Sequence, residues 1–459
     1  MKSIKEEDKN TLITQLGYAV VILANLILLP IIIIKFNDLD TSIWLLLGTL
    51  TAFSSLIDFG FSPTLIRFVS YFWTGKNLAS DTESTKNSEP DLSGLTKFMS
   101  TVNFVYLMIG TILFISLLIS SIVLFWKILD VNIGLNYYLL AILIFNVRLV
   151  LYLFVVKYSA ILQGVQLIFK VKKTEAINSL VKYAIMIILA LLGFKLLVLI
   201  LVDLILTVTL FLNLKKKCES LISFDLFNNR TFNLKIFREF WRPTHQWGLM
   251  QIGSFFTNYS SNFIVSNVGA PKEISLYLII LKILNFIKLL TTSPINSNLP
   301  IVFKEIADKN ILGLRLFFFK QIQKALIINL ILSTAFLAFG PYFLSMLGLN
   351  IDLLSFDFIV VAVSMIFLES HHSMNAQVYM GSNKIPFVLP SIITGLVVLT
   401  SAMLSLYYFK LSIFFIFYIQ FIVQLSFNNW YCVYKNLQLL DISFTQYISF
   451  LLNPRKMEK

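Results

Sequence analysis

Charge is scarce along this chain of 459 residues, with Asp, Glu, Lys and Arg together making up only 13%. A soluble globule carries roughly 25% of such residues, so 57% hydrophobic residues and a mean hydropathy of +0.81 exclude that class. Cysteine is nearly absent: only Cys218 and Cys432 occur, without metal-ligand spacing, and both fall at segment ends expected to face the cytoplasm, where thiols stay reduced. The histidines number three, and no Cys or acidic cluster surrounds them with ligand spacing, so no metal site is read. A Gly-x-x-x-x-Gly-Lys-Ser/Thr phosphate loop, a zinc motif and a nucleophile motif are all missing, which disfavours an ATP-driven pump and any enzyme. A membrane glycosyltransferase or polymerase is disfavoured too, because such an enzyme would carry a sizeable extramembrane loop with paired carboxylates, whereas the outside loops here are short.

Long apolar runs fill the chain instead. A stretch of about 20 apolar residues spans the hydrocarbon core as a helix, and such stretches follow one another from end to end. They lie at 12–34, 42–70, 99–125, 137–162, 177–192 and 196–214, then at 247–268, 274–300, 326–347, 356–380, 386–408 and 413–433. The first has no small-residue cleavage site after it and is read as a retained helix. The expected fold is therefore an all-α polytopic membrane protein of about twelve transmembrane helices.

The net charge of +13 would suggest nucleic acid in a soluble protein, but in a membrane protein Lys and Arg collect in cytoplasmic loops, and no nucleic-acid partner is read. With both termini inside, 29 of the 37 Lys and Arg residues fall on cytoplasmic segments, Lys157, Lys170 and Lys182 among them, and 5 outside: Lys35, Lys127, Lys195, Lys272 and Lys410. One missed helix would scramble that parity, so the bias supports an even count.

The basic stretch 215–242 separates two blocks of six segments, 1–214 and 243–459. Within it, residues 232–241 mix Phe, Leu, Ile and Trp with Lys and Arg, as an amphipathic interfacial segment does. The blocks echo each other. A shift of 231 places Gln15, Gly17 and Pro63 on Gln246, Gly248 and Pro294, and a shift of 214 places Gln163 and Lys170 on Gln377 and Lys384. Blocks of an even number of helices keep one orientation, which implies two lobes related by a pseudo-two-fold axis along the membrane normal, with a cavity between them.

Several stretches resemble the polysaccharide repeat-unit flippases of the multidrug/oligosaccharidyl-lipid/polysaccharide exporter superfamily. They are Asp58-Phe59-Gly60 with Pro63 and Arg67, Ile161-Leu162-Gln163-Gly164 before a basic loop, and the run from Tyr277 to Pro300 before Lys304. The resemblance covers nearly the whole chain through loose motifs. It implies a multi-pass protein of the bacterial inner membrane that moves undecaprenyl-pyrophosphate-linked oligosaccharides to the outer leaflet by alternating access, for O-antigen, lipopolysaccharide, capsule or related glycans. The implied partners are the lipid-linked oligosaccharide, membrane lipids, and polysaccharide polymerase and assembly proteins. No cofactor is implied beyond a coupling ion, Na⁺ or H⁺. Two alternatives stay open: a multidrug and toxin extruder, which would be expected to carry acidic cavity residues although segment 12–34 has none, and a peptidoglycan-precursor flippase, usually of fourteen helices.

Charges inside helices are costly and face a cavity or a partner. Arg148, mid-segment, is the first candidate for pyrophosphate contact, because a guanidinium stays charged and offers a fork of donors to phosphate oxygens. The competing role is a structural ion pair with Asp58 or Asp203. Lys282 and Lys288 share the eighth segment about 120° apart, so one can line a cavity while the other snorkels. Arg67 and Arg242 stand at helix ends, where lipid anchoring competes with head-group contact. Asn296 and Asn298 belong with Asn146, Asn258, Asn262 and Asn285 as unranked sugar contacts. The polar run Glu369, His371, His372, Asn375 and Gln377 in the tenth segment suits ion coupling through Glu369 and His371, since carboxylate and imidazole exchange protons near neutral pH; Asp58 is a third such candidate.

Overall fold

The computed structural model describes residues 24, 27–73, 91–129, 135–221, 232–296, 298–349, 354–382 and 386–452. The chain divides into two compact units, 1–251 and 252–459. Most of expected segment 12–34, with Gln15 and Gly17, lies outside the described residues; its end forms helical residues 27–35. Helix is the form that a backbone surrounded by hydrocarbon must take, since every N–H and C=O then bonds within its own segment.

The first unit holds α1 (Asp38–Ile57), α2 (Phe61–Trp73), α3 (Leu92–Leu129), α4 (Leu135–Gly164), α5 (Ile168–Leu191), α6 (Leu196–Leu221) and most of α7 (Leu234–Asn258). Helix α4 sits centrally in the unit, packed against α1, α2, α3, α5 and α6. Residues 27–35 join α5 and α6 through Leu28, Ile32, Met186, Ala190 and Leu199.

Segment 42–70 was expected as one helix and is two. The break falls on Asp58-Phe59-Gly60, where Phe59 has φ 48° and Gly60 φ 76°, left-handed values that no helix interior sustains. Asp58 restarts the helix by accepting hydrogen bonds from the Ser62 amide at 3.3 Å and the Ser62 hydroxyl at 2.8 Å. Aromatic packing holds the break: Phe59 stacks on Trp241 with centroids 5.5 Å apart, and Phe61 meets Phe240 at 5.2 Å. Residues 234–241, most of the amphipathic stretch 232–241, are thus the opening turns of α7, packed by their rings onto α2.

The second unit continues with α8 (Ser260–Val268), α9 (Pro271–Asn296), α10 (Leu299–Ala307), α11 (Ile311–Met346), α12 (Phe356–Met380), α13 (Val388–Met403), α14 (Phe415–Val423), α15 (Asn429–Leu440) and α16 (Phe444–Leu452). A turn of π-helix extends α13 over 404–408, and another joins α14 to α15 over 424–428. Its core gathers Phe318, Phe319 and Ile322 of α11, Met374 and Val378 of α12, Val433 and Leu437 of α15, and Tyr447 of α16. Helix α16 was not expected from the sequence.

Among the described residues, nine helices are long and apolar enough to cross a membrane. The expected segments missing from that set have physical reasons: 12–34 is mostly outside the described residues, 247–268 is interrupted at Tyr259, and 413–433 by its π-turn. Ile112, Ile115, Ile119 and Ile122 form an exposed apolar row on α3, and Ile327, Leu330 and Ile331 form one on α11. In water such rows would be a liability; in a bilayer they face solvent of their own kind. The chain is a multi-pass membrane protein.

Candidate functional site

A cavity of about 290 Å³ opens within the first unit, lined by Arg148 and Tyr152 of α4, by Lys172, Glu175, Lys182 and Tyr183 of α5, and by neighbours from α6. Arg148 is 8% exposed and its Nε lies 3.0 Å from Asp203 Oδ2 on α6. Lys182 approaches the other oxygen of the same carboxylate, Nζ to Oδ1 at 3.1 Å. Of the two pairings open for Arg148, the structure therefore has the one with Asp203. Lys172 pairs with Glu175 at 2.9 Å, and Glu175 also accepts the Ser159 hydroxyl at 2.7 Å, which in turn accepts the Gln163 amide at 3.0 Å.

Aromatic faces complete the wall. The Arg148 guanidinium lies 5.0 Å from the Tyr152 ring centroid and 5.8 Å from that of Phe145, and Lys182 lies 4.9 Å from that of Tyr183. Ring quadrupoles attract cations, which helps hold these groups charged away from water. The lining carries three cations against Glu175, with Asp203 bridging two of them. An anion is the ligand such a wall favours.

Lys182 and Asp203 matter here more than the sequence suggested. Lys182 was counted among cytoplasmic residues because α5 was expected to begin at Ile177; it begins at Ile168, so Lys182 lies about four turns into the helix. Lys157, counted the same way, is 5% exposed within α4 and donates to Asn103 at 2.6 Å. The signal available was spacing: basic residues at 170, 172, 173 and 182 extend too far into an apolar run to be one loop.

The second unit holds a separate polar seam. Lys288 Nζ lies 2.5 Å from Glu369 Oε1, and His371 Nε2 meets the Tyr447 hydroxyl at 2.7 Å. Asn436 donates to Asn375 at 3.0 Å, and His372 Nε2 lies 3.7 Å from Cys432 Sγ. Lys282, on the same helix as Lys288, makes no ion pair among the described residues. Glu369 and His371 thus have different partners.

The other candidates make their contacts elsewhere, along their own helices or, for Asn146, on α3. Arg67 is exposed, 5.8 Å from the Phe68 ring centroid. The side chain of Arg242 lies outside the described residues. Asn296 donates to the Thr292 hydroxyl at 3.2 Å, and Asn298 donates to the Pro294 carbonyl at 2.9 Å, satisfying that acceptor at the end of α9. Asp58 caps α2, and Asn146 donates to Ser121 at 2.9 Å.

No family model and no curated protein matches the chain. Solved structures do. The chain is similar to the MATE multidrug transporter DinF-BH, with a TM-score of 0.65 at 12% identity over 95% of this chain and 96% of that one. It is similar to the inward-facing conformation of a multidrug resistance MATE family transporter of the MOP superfamily, with a TM-score of 0.63 at 12% identity over 94% and 99%. A MOP superfamily transporter from Pyrococcus furiosus, whose binding pocket is described as reversed in polarity, gives 0.57 at 14% over 94% and 95%. The chain therefore has the all-α fold of the MATE transporters of the MOP superfamily, twelve transmembrane helices in two lobes.

Proposed function

We propose that the chain flips undecaprenyl-pyrophosphate-linked oligosaccharide repeat units across the bacterial inner membrane by alternating access, with both termini in the cytoplasm, and so serves surface polysaccharide biosynthesis. The observation that carries this reading is the cationic, aromatic-walled cavity around Arg148, Lys172 and Lys182. A sugar-pyrophosphate head group cannot enter hydrocarbon unaided, and buried guanidinium and ammonium groups offset its desolvation with charge-assisted hydrogen bonds. The protein needs to break no bond; its task is to exchange one protected environment for another.

The embedded charges of the second unit support the same polarity. Lys288 is matched by Glu369 while Lys282 adds a further cation on α9. Lys282, Lys288, Asn296 and Asn298 are proposed to contact the cargo during the cycle, with Arg67 and Arg242 greeting the head group at the cytoplasmic mouth. Glu369, His371 and Asp58 are proposed to exchange the coupling ion.

Extrusion of organic cations is the second reading, favoured by the multidrug transporters among the similar structures and by buried carboxylates at Asp203 and Glu369. Both carboxylates are already paired with the protein's own cations, which leaves less negative charge for a cationic drug. The deciding experiment depletes the protein and measures the lipid-linked oligosaccharide pool of the membranes by mass spectrometry, with surface glycan and drug sensitivity in parallel. The flippase reading expects full-length units to accumulate while surface glycan falls. An unchanged pool with heightened drug sensitivity overturns it in favour of extrusion.

A further inference from the structure

We propose that the asparagine seam between α12 and α15 is hydrated, and that protons, not Na⁺, travel along it between the shared end of those helices and Glu369. The inference rests on the reading of Glu369 as a coupling-ion group and adds to it the identity of the ion and its route.

Its starting point is a run of amides that the second unit buries without satisfying. Asn428, Asn429 and Asn436 are 7%, 2% and 0% exposed. Yet Asn428 Oδ1, both amide ends of Asn429 and Asn436 Oδ1 have no hydrogen-bond partner among the described residues. The turn of π-helix over 424–428 carries Asn428 inward, and such turns recur at functional sites. Asn429 and Asn436 then share one face of α15 at seven-residue spacing. Across from them on α12, His372 Nε2 lies 3.7 Å from Cys432 Sγ, and Asn375 Oδ1 accepts the Asn436 amide at 3.0 Å. The seam therefore runs from Asn436, one turn short of the end of α15, to His372, about one turn past Glu369.

Partnerless buried amides are costly, and leucine, of nearly the same shape, would avoid that cost. Water removes it, since one buried water joins about three otherwise unsatisfied polar groups. The lining also chooses between ions. A hard cation is held by oxygens, whereas each Asn here presents an N–H beside its oxygen however its amide is turned, and Cys432 and His372 add a thiol and an imidazole. Donors mixed with acceptors suit a file of waters, which hands a proton from one molecule to the next.

Glu369 is where such a proton stops. Lys288 reaches it from α9 at 2.5 Å. His372 on its own helix and Tyr259, just before α8, lie within range of its charge, while His371 is engaged by Tyr447 of α16 at 2.7 Å. A proton added to a Glu369 oxygen leaves the Lys288 ammonium intact and takes the pair, one cation and one carboxylate, from net zero to +1. Its departure to water restores the ion pair. The bridge between α9 and α12 thus opens and closes with the proton.

The test uses full-length protein in nanodiscs and infrared spectroscopy, with the two thiols reporting water through exchange of S–H for S–D in heavy water. Cys218 and Cys432 are both 0% exposed, but Cys218 belongs to the first unit, where it donates to the Tyr158 carbonyl at 3.6 Å. Single Cys→Ala variants assign the two bands. Cys432 is expected to exchange at least about tenfold faster than Cys218, the factor that about 1.4 kcal/mol of easier access supplies. The paired variant Asn429→Leu with Asn436→Leu is expected to slow Cys432 about tenfold, while Asn429→Ser with Asn436→Ser keeps it fast. The protonated-carboxyl band that Glu369→Gln removes should likewise rise about tenfold more slowly after a drop in pH in the Leu pair. Cys432 exchanging no faster than Cys218 overturns the hydrated seam, and that comparison within the native protein holds whether or not the Leu pair folds. A Glu369 band whose rise the folded Leu pair leaves unchanged overturns the route, and one that Na⁺ shifts at constant pH overturns the choice of ion. None of these outcomes touches the flippase reading, which fails separately if depleted cells keep a normal lipid-linked oligosaccharide pool.

Discussion

Replacing Gly60 with Ala should be among the most damaging single-methyl changes in the first unit. At φ 76° an L side chain costs roughly 1–2 kcal/mol. The added Cβ would also sit 2.6 Å from Trp247 Cβ, about 1 Å inside ordinary carbon contact. Trp247 Cβ cannot swing aside, being fixed to the backbone of α7, so the helix itself must retreat. Overpacking of that kind costs about 1–3 kcal/mol, and retreat also strains the Phe59–Trp241 stack, a pair worth about 0.5–1.5 kcal/mol. The first two contributions alone come to about 2–5 kcal/mol. Gly248→Ala is the informative neighbour: its Cβ would fall 2.3 Å from the Phe59 ring, yet the helix gains about 1 kcal/mol in propensity, for a net cost of roughly 0–2 kcal/mol. Gly48→Ala meets nothing within 4 Å and should stabilise by about 0.5–1 kcal/mol. Equilibrium unfolding in mixed micelles, titrated with dodecyl sulfate, should rank Gly60→Ala lowest, then Gly248→Ala, then native, then Gly48→Ala. A Gly60→Ala protein unfolding at the same point as Gly48→Ala would refute the packing account of the break.

Two further perturbations follow from the same reasoning. Glu369→Gln strands the Lys288 ammonium; because the Lys288 side chain is 25% exposed, the cost should lie at about 1–3 kcal/mol, below the roughly 3–5 typical of a fully buried pair, and Lys288→Met with Glu369→Gln should recover part of it in the same micelle titration. Asp91, outside the membrane spans, caps α3 by accepting the Gly94 amide at 2.8 Å and the Ser93 hydroxyl at 3.0 Å, and these bonds, the Gly94 amide first, hold its carboxyl below the usual carboxylate range. A lowered folded value means the cap contributes above the ordinary pKa of about 3.9 and is lost as pH falls through the lowered one. Hydrogen exchange at Gly94 and Leu95 should accelerate, relative to a mid-helix amide, across that acid window in the native protein and show no such step in Asp91→Ala.

The extent of the helices was legible wherever an apolar run had polar ends. Segment 356–380 agrees with α12 at both ends, and 137–162 lies within α4 by two residues at each. What the sequence concealed lay where local propensity and tertiary packing disagree. Residues 42–70 read as one apolar run although Asp58, Gly60 and Pro63 mark the break, and what holds that break at Phe59 is Trp241 and Gly248, nearly two hundred residues later. Likewise Arg148 was visible as a charge deep in an apolar run, but Lys182 was hidden by a helix whose first three turns are too basic to read as membrane-embedded. Asp203 was legible only as one of two candidate partners, because pairing across helices depends on the packing of α4 against α6.

The most direct test of the transport account is the sidedness of the cargo. In spheroplasts, a membrane-impermeant lectin or oxidant reads the fraction of lipid-linked oligosaccharide exposed on the outer leaflet, compared between native cells, cells depleted of the protein, and depleted cells complemented with Arg148→Ala at matched protein abundance. The account predicts that outer-leaflet exposure falls on depletion, with the units stranded inside, and that Arg148→Ala fails to restore it. Unchanged exposure in depleted cells would contradict it.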